Sequence, residues 1–588
     1  MSCTSRSPGL RLVAGLVALL SSLPLEVFAA TPAVPSNETV NWEIMTEIRN
    51  EGFRNSKVME IEEQLTDVIG PRLTGSPNMK RANEWTRDKF TEWGLVNSHL
   101  ESFLFGRGWT NEYTEVRMVV PQAAPLLAYP KAWTVSTNGV LRAPVVKAKL
   151  ATQADLDKYK GQLAGKIVLD GDMREIKPQE KPALERYDEK KLAEMAQYEV
   201  PNEKPRLNRE EIAQRIAFQK TLNQYLMDEK VVAIIDPSRH GEAGLVFVQS
   251  GASYEPNTPA GVPSLVMAIE NYGRITRLLE KNIAVELELE VRNTFYDADL
   301  NAYDTIAEIP GSDKKDEVVM LGAHLDSWHA GTGATDNAAG SAIVMEAVRI
   351  LKAIGVQPRR TIRVGLWSGE EEGLLGSRAY VKEHFGLHVP PTDPKELAMP
   401  EWLRKEDTPL TLKPEQAKVS AYFNIDNGTG RVRGVYMQEN EAVAPIFSSW
   451  MQPFSDLGMT TLTARNTGGT DHLSFDSVGI PGFQFIQDPV EYESRTHHSN
   501  ADTYERIQRD DMMQAAVIMA AYVYDAAMRD KMLPRKPLPK PGQATPPKPE
   551  SKPDSKPEAA PLKRVGSRIE SVLRKELRSS GSGSPQAA

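Results

Sequence analysis

Cysteine is nearly absent, Cys3 being the one thiol in 588 residues. That single thiol excludes a disulfide framework, and with it a thiolate metal site and a cysteine nucleophile in any domain that lacks residue 3. Charge shows no basic excess, with 70 Lys and Arg against 79 Asp and Glu and a formal net charge of −9. No basic stripe accompanies the folded part, so nucleic acid is excluded as an expected partner. Apolar runs long enough for a polytopic membrane protein are missing. What remains is ordinary: 40% hydrophobic and 25% charged residues in a chain of multi-domain length.

The two ends read as non-domain segments. Arg6 and Arg11 precede the apolar run 12–25, and Val27 and Ala29 stand at the −3 and −1 positions of a cleavage site. This pattern predicts a secretory signal peptide over 1–29, whose removal takes Cys3 with it and leaves no transmembrane span. The expected location is therefore secreted or periplasmic. Residues 534–588 carry a Pro/Lys-rich run and 12 Lys and Arg against 5 Asp and Glu. Such a stretch predicts a solvated, disordered tail. Within it, Val565, Ile569, Val572 and Leu573 at helical spacing among basic residues are a candidate contact with an anionic envelope surface.

Between the ends the pattern changes twice. Apolar residues at helical spacing between Asn41 and Gly94, with a Gly70-Pro71 breaker, predict a helical entry within residues 30–115, the N-terminal part of the same domain as 296–533. Short apolar runs such as 145–150, 165–172, 231–238 and 262–270 predict strands of a β-rich domain inserted over 116–295, interrupted by a charged stretch at 173–215. Over 296–533 strands and helices alternate: 317–326, 361–369, 418–426 and 481–488 read as strands, and 338–355, 374–385 and 512–528 as helices. The predicted fold class is α/β, with a mixed, mostly parallel sheet flanked by helices. In such sheets ligands gather at the carboxyl ends of the strands.

His324 and Asp326 fall at one strand end and Asp336 in the Gly-rich loop after it. Glu370 and Glu371 follow the next strand, Asp426 a third, and His498 lies in a loop before the last helix. This nitrogen and oxygen set suits zinc, with Co or Mn as substitutes. The GEEEG run of like charges is costly unless a cation or proton offsets it. If Asp336, Glu371 and Asp426 coordinate beside two neutral histidines, three negative charges meet the four positive charges of two divalent ions, which leaves room for a hydroxide. Two ions about 3.5–4 Å apart, bridged by a carboxylate, generate such a nucleophile near neutral pH. Glu370 is then free to move its proton, and Asp326 to orient a ligand.

The motifs GAHLDSWHAGTGATDNAAG (322–340), SGEEEGLLGS (368–377), FNID (423–426), GTDHLSF (469–475) and HHSNADTYE (497–505) resemble the co-catalytic di-zinc exopeptidases. That family includes leucyl-type bacterial aminopeptidases, glutamate carboxypeptidase and carboxypeptidase Q. The resemblance implies two zinc ions, His324 and Asp426 holding one, Glu371 and His498 the other, Asp336 bridging, and Glu370 as general base. It also implies a cis peptide at Asp336-Asn337. Asp502 stands four residues after His498, as in the family's pattern, and joins Asp326 as an outer support of the site. The inserted segment looks like a protease-associated domain, which places the chain nearest the carboxypeptidase Q-like members. His497 departs from the glutamate carboxypeptidase pattern, where a tyrosine stabilises the oxyanion, and it is the candidate oxyanion donor here.

The expected activity is an exopeptidase on dipeptides or short peptides. Aminopeptidase and carboxypeptidase specificity both stay open, since they use the same metal centre. A receptor-like relative without catalysis is disfavoured by the complete set of ligand types. The inserted domain is a candidate lid or dimer surface, so a homodimer stands among the expected assemblies.

Overall fold

The computed structural model describes residues 38–197, 209–400, 403–404 and 408–538. The signal-peptide segment and the tail beyond Leu538, with its amphipathic stretch, lie outside the described residues. Among the described residues no helix is long and apolar enough to cross a membrane.

The helical entry forms as its spacing predicts. Asn41 accepts a hydrogen bond from the Ile44 amide at the start of Trp42–Arg54, and Ser76 caps Pro77–Glu92 with proline in its first turn. Gly70, at φ +86°, ends the intervening helical run, a backbone conformation that favours glycine.

The first sheet has eight strands. Its central strands Lys314–His324, Arg360–Trp367, Val419–Asn424 and Gly482–Gln487 are parallel neighbours, almost wholly buried from Val318 onward in the first and throughout the other three. Burial on both faces explains why they read as continuous apolar runs. Asn301–Ile309 is antiparallel to Arg360–Trp367 and carries the edge strand Val96–Leu104 on its other side. Val432–Tyr436 and Thr461–Thr463 complete the far edge. Four of the seven pairings are parallel, so the sheet is mixed and mostly parallel, as expected.

One face of this sheet buries the entry helices together with Ala339–Ala353 and Arg509–Met528. The last helix is buried nearly all round, with Val517, Ile518, Ala521 and Tyr522 fully inaccessible. The other face packs Leu375–His384 and His472–Asp476 around Trp367, Tyr380 and Phe475.

A second eight-stranded sheet is built from Gly108–Val120 to Glu286–Tyr296 and everything between them. Its four short strands Leu141–Lys147, Ile167–Leu169, Ala233–Pro237 and Ser264–Met267 are parallel and the remaining pairings antiparallel. Helix Ile269–Glu280 covers one face through Tyr272 and Ile275, and Arg209–Asp228 covers the other through Leu222 and Leu226. The chain leaves the first sheet after Leu104 and returns at Asn301, where Phe105 and Gly106 both donate to the Leu300 carbonyl at 2.9 Å. At the other end, Arg535 donates to the Val419 carbonyl and Lys536 pairs with Asp476, so residues 535 and 536 lie against the first sheet and the helix His472–Asp476.

Candidate metal centre

The parallel register aligns the strand ends that carry the chemistry. His324 pairs with Trp367, and Gly322 with Asn424, so His324, the Ser368–Glu371 turn and Asp426 leave the sheet side by side. His324 is fully buried. Its Nε2 faces Asp336 Oδ1 at 3.3 Å, Asp426 Oδ1 at 3.4 Å and Glu370 Oε2 at 3.9 Å. Across the site, His498 Nε2 faces Glu371 Oε2 at 2.9 Å and Asp336 Oδ2 at 3.2 Å. Asp336 thus turns one carboxylate oxygen to each histidine.

Outer contacts hold these groups. The Asp502 carboxylate accepts from the Thr335 amide at 2.7 Å, the Thr335 hydroxyl at 2.8 Å and the Asp336 amide at 3.1 Å. The Asp336-Asn337 peptide is cis. Asp326 accepts from the Glu370 and Glu371 amides at 3.3 and 3.2 Å and from the Thr74 hydroxyl at 3.2 Å. It also lies 3.5 Å from His324 Nδ1, which is 3.1 Å from the Asp326 carbonyl. One carboxylate therefore fixes both a histidine ring and the turn bearing two glutamates. His497 stacks on Tyr492 at 4.7 Å between centroids and brings Nε2 to 3.8 Å from Asp336 Oδ2.

Among the described residues, two groups of donor atoms are close enough to share an ion: His324, Glu370 and Asp426, and Asp336, His497 and His498. The arrangement fits cations on independent grounds. His324 Nε2, Asp336 Oδ2, Glu371 Oε1 and Asp426 Oδ1 are buried with no hydrogen-bond partner, each a cost of about 1–3 kcal/mol unless something satisfies it. Electrostatics agrees. Burial lifts Glu371 to about 7, against the pull of His498. Burial favours the neutral His498 ring, yet the Glu371 and Asp336 carboxylates push it up to about 11. His324 is likewise raised, against its burial, by Asp426 and Glu370. Without metal, protons on the histidines balance the carboxylates.

A pH dependence follows. A histidine whose affinity for protons is raised keeps its proton through neutral pH, so a metal ion must displace it. Zinc affinity is expected to rise with pH between 6 and 8, by up to about tenfold per unit for each proton released. Chelator competition at three pH values measures it, and a flat profile would contradict the charge balance described.

Three contributors were not legible as site residues. Arg72 is fully buried and donates to the carbonyls of Leu325, Thr332 and Gly333 at 2.7–2.9 Å and to those of Leu65 and Gly70. It ties the segment after His324 to the loop before Asp336. Thr74 accepts from the Gly369 amide at 3.0 Å. Gln249, from the second-sheet unit, lies 3.1 Å from His498 Nδ1. Only GPRLTGS, with a charged residue between two breakers, offered any signal for the first two.

Comparisons with known proteins bear on the family and the fold. Residues 304–523 match the model of Peptidase family M28. The chain is 26% identical to carboxypeptidase Q of Mus musculus over 483 residues, 80% of this chain and 86% of that one. Among solved structures it is similar to a peptidase M28 precursor from Shewanella amazonensis, at 25% identity and a TM-score of 0.59 over 85% of this chain and 98% of that one. The fold is also that of BSAP, a zinc aminopeptidase from Bacillus subtilis, at 18% identity and a TM-score of 0.50 over 82% and 98%.

Proposed function

We propose that the chain, whose residues 304–523 match Peptidase family M28, is an exported zinc exopeptidase of that family, acting on dipeptides or short peptides in the manner of carboxypeptidase Q. The similarity to carboxypeptidase Q over four-fifths of the chain carries this reading, because it spans both sheets rather than the metal centre alone. In it, residues 1–29 are the signal peptide and the second-sheet unit, expected over 116–295, is a protease-associated domain.

His324 and Asp426 would hold one zinc ion, Glu371 and His498 the other, and Asp336 would bridge them. When bound, the pair would supply Lewis-acid polarisation of the peptide carbonyl and of water. Glu370 would accept a proton on its carboxylate and return it to the leaving amine nitrogen. Burial raises its proton affinity well above the usual carboxylate range; His324 opposes this, and Asp426, Asp471 and Glu371 reinforce it. A carboxylate so placed holds a proton between the two transfers. Asp326 and Asp502 keep the ligand backbones fixed while this occurs.

His497 donates from Nε2 to the developing oxyanion, held against Tyr492 by ring stacking. His497→Ala is expected to lower turnover by about 10²-fold with two zinc ions retained. Wild-type turnover at unchanged zinc content would remove that role.

Which end of the peptide is read decides between the carboxypeptidase and aminopeptidase forms of the activity. One peptide set assayed as free, N-acetylated and C-amidated forms tests it. Loss of cleavage on C-amidation is expected, whereas loss confined to N-acetylation would make the enzyme an aminopeptidase.

A further inference from the structure

We propose that the second-sheet unit supports the metal centre directly: the segment Gly244–Gln249 fixes the backbone of His498, and Gln249 sets the orientation and tautomer of its ring. The proposal rests on reading His498 as a metal ligand.

His498 has φ +58°, a left-handed conformation that is unfavourable for a residue with a Cβ. Such a conformation persists where the surroundings over-determine it, and here they come from a segment about 250 positions away in the chain. The Val248 amide donates to the His498 carbonyl at 3.2 Å, and the Asn500 amide to the Val246 carbonyl at 3.1 Å. The Asn500 side chain accepts from the Val246 amide at 2.7 Å and donates to the Gly244 carbonyl at 3.2 Å. Phe247 forms an isolated antiparallel bridge with Ser499. Val246 and Val248 anchor the segment in a small buried cluster with Val266 and Ala268. The His498 carbonyl and the two residues after it are thereby pinned.

The ring is held from its second nitrogen. Its Nε2 points at Glu371 and Asp336, so binding a cation there requires the lone pair on Nε2 and the proton on Nδ1. A proton on Nδ1 needs an acceptor, and the Gln249 side-chain amide stands there, its Nε2 3.1 Å from Nδ1. An amide offers a donor on one branch and an acceptor on the other, so turning it over about its last bond brings Oε1 to the same place to accept from Nδ1–H once Nε2 of the ring binds a cation. A neutral acceptor also suits this place better than a carboxylate would on charge alone, since Asp336, Glu370, Glu371 and Asp426 already crowd the centre. Trp328, edge-on at 6.2 Å, and His497 at 3.8 Å between centroids close the other sides of the ring. Gln249 is therefore a positioning residue, acting through His498.

Gln249 is exposed, so replacing it removes no core packing and the variants should fold. Zinc affinity of the full chain, read by competition with a chromophoric chelator at fixed pH, tests the assignment, with thermal melting of the metal-free protein as the folding control. Gln249→Leu is expected to weaken one of the two zinc ions by about 10–100-fold, the usual effect of losing such an outer partner, while the other ion is held as in the wild type. Gln249→Glu, which keeps an acceptor, should restore affinity to within a few-fold. Wild-type affinity for both ions in Gln249→Leu, or failure of Gln249→Glu to restore it, would overturn the role of Gln249. His498→Ala separates the two layers. If it loses one zinc ion while Gln249→Leu loses none, the proposal falls and the ligand reading stands; if it keeps both with wild-type affinity, the ligand reading falls and takes the proposal with it.

Discussion

Glu370→Gln is expected to keep two zinc ions per chain and to lower kcat by about 10³–10⁴-fold. The prediction rests on where this carboxylate stands. Its Oε2 is 3.9 Å from His324 Nε2, while Asp336 and Asp426 approach the same nitrogen to 3.3 and 3.4 Å. It is the outermost of the three acids and the one best placed to exchange a proton with a water or an amine. Glutamine matches it in shape and leaves the backbone amide free to donate to Asp326, so the turn and its neighbour Glu371 should not move. What is lost is an atom that can carry a proton in both directions. Both kcat and kcat/KM should therefore fall together, the mark of an interaction needed only in the transition state. Metal counting on the same preparation completes the test: full activity would sink the mechanism, and a lost zinc ion would make Glu370 a ligand.

Arg72→Met is expected to lower the unfolding free energy by about 3–5 kcal/mol. No part of Arg72 reaches solvent, and its guanidinium satisfies five backbone carbonyls drawn from two loops and a helix end. Methionine fills similar volume but takes the donor from the Leu325, Gly70 and Thr332 carbonyls, while Leu65 and Gly333 keep the Gly70 and Ala338 amides. It also leaves Glu62, fully buried with neither carboxylate oxygen hydrogen-bonded, without the cation that acts on it most strongly. Burial holds the Glu62 proton affinity well above normal even with Arg72 in place. The double variant Glu62→Gln, Arg72→Met also removes the buried acid that loses its cation, and should recover about 1–3 kcal/mol of the loss. Urea unfolding of the metal-free single and double variants measures both. A loss under about 1 kcal/mol for Arg72→Met would show that the loops do not depend on this clamp.

The parts of this site that were legible in the sequence share a physical cause. Central parallel strands are buried on both faces, so 317–326, 361–369, 418–426 and 481–488 stand out as apolar runs. Polar residues at their ends are conspicuous by contrast, and a triple glutamate is too costly to be idle. The edge strand Val96–Leu104 alternates weakly, with exposed and half-buried residues throughout, and gave no such signal. Nor did the sheet order, which sets Asn301–Ile309 antiparallel between an edge strand and Arg360–Trp367. The charged stretch expected only to interrupt the inserted domain holds residues that reach the first sheet. Glu185 bridges to Val490, and Arg186 pairs with Asp488 at 3.1 Å and Asp511 at 2.7 Å. Arg72 and Gln249 were invisible for another reason. Their partners lie about 250 residues away, and nothing local marks a residue whose work is done across the fold.

The neighbouring exit and return of the chain at Phe105 and Leu300 bear on how the molecule assembles. If the intervening segment folds first, its two ends are brought together by its own strands Gly108–Val120 and Glu286–Tyr296, which pair along their length. The edge strand and Asn301–Ile309 then meet as the arms of a short hairpin rather than across an open loop of about 190 residues, which lowers the closure entropy by roughly 3 kcal/mol. Early folding of the middle of the chain would thus hasten pairing of the outer sheet, whose first and second strands are otherwise among its most distant neighbours.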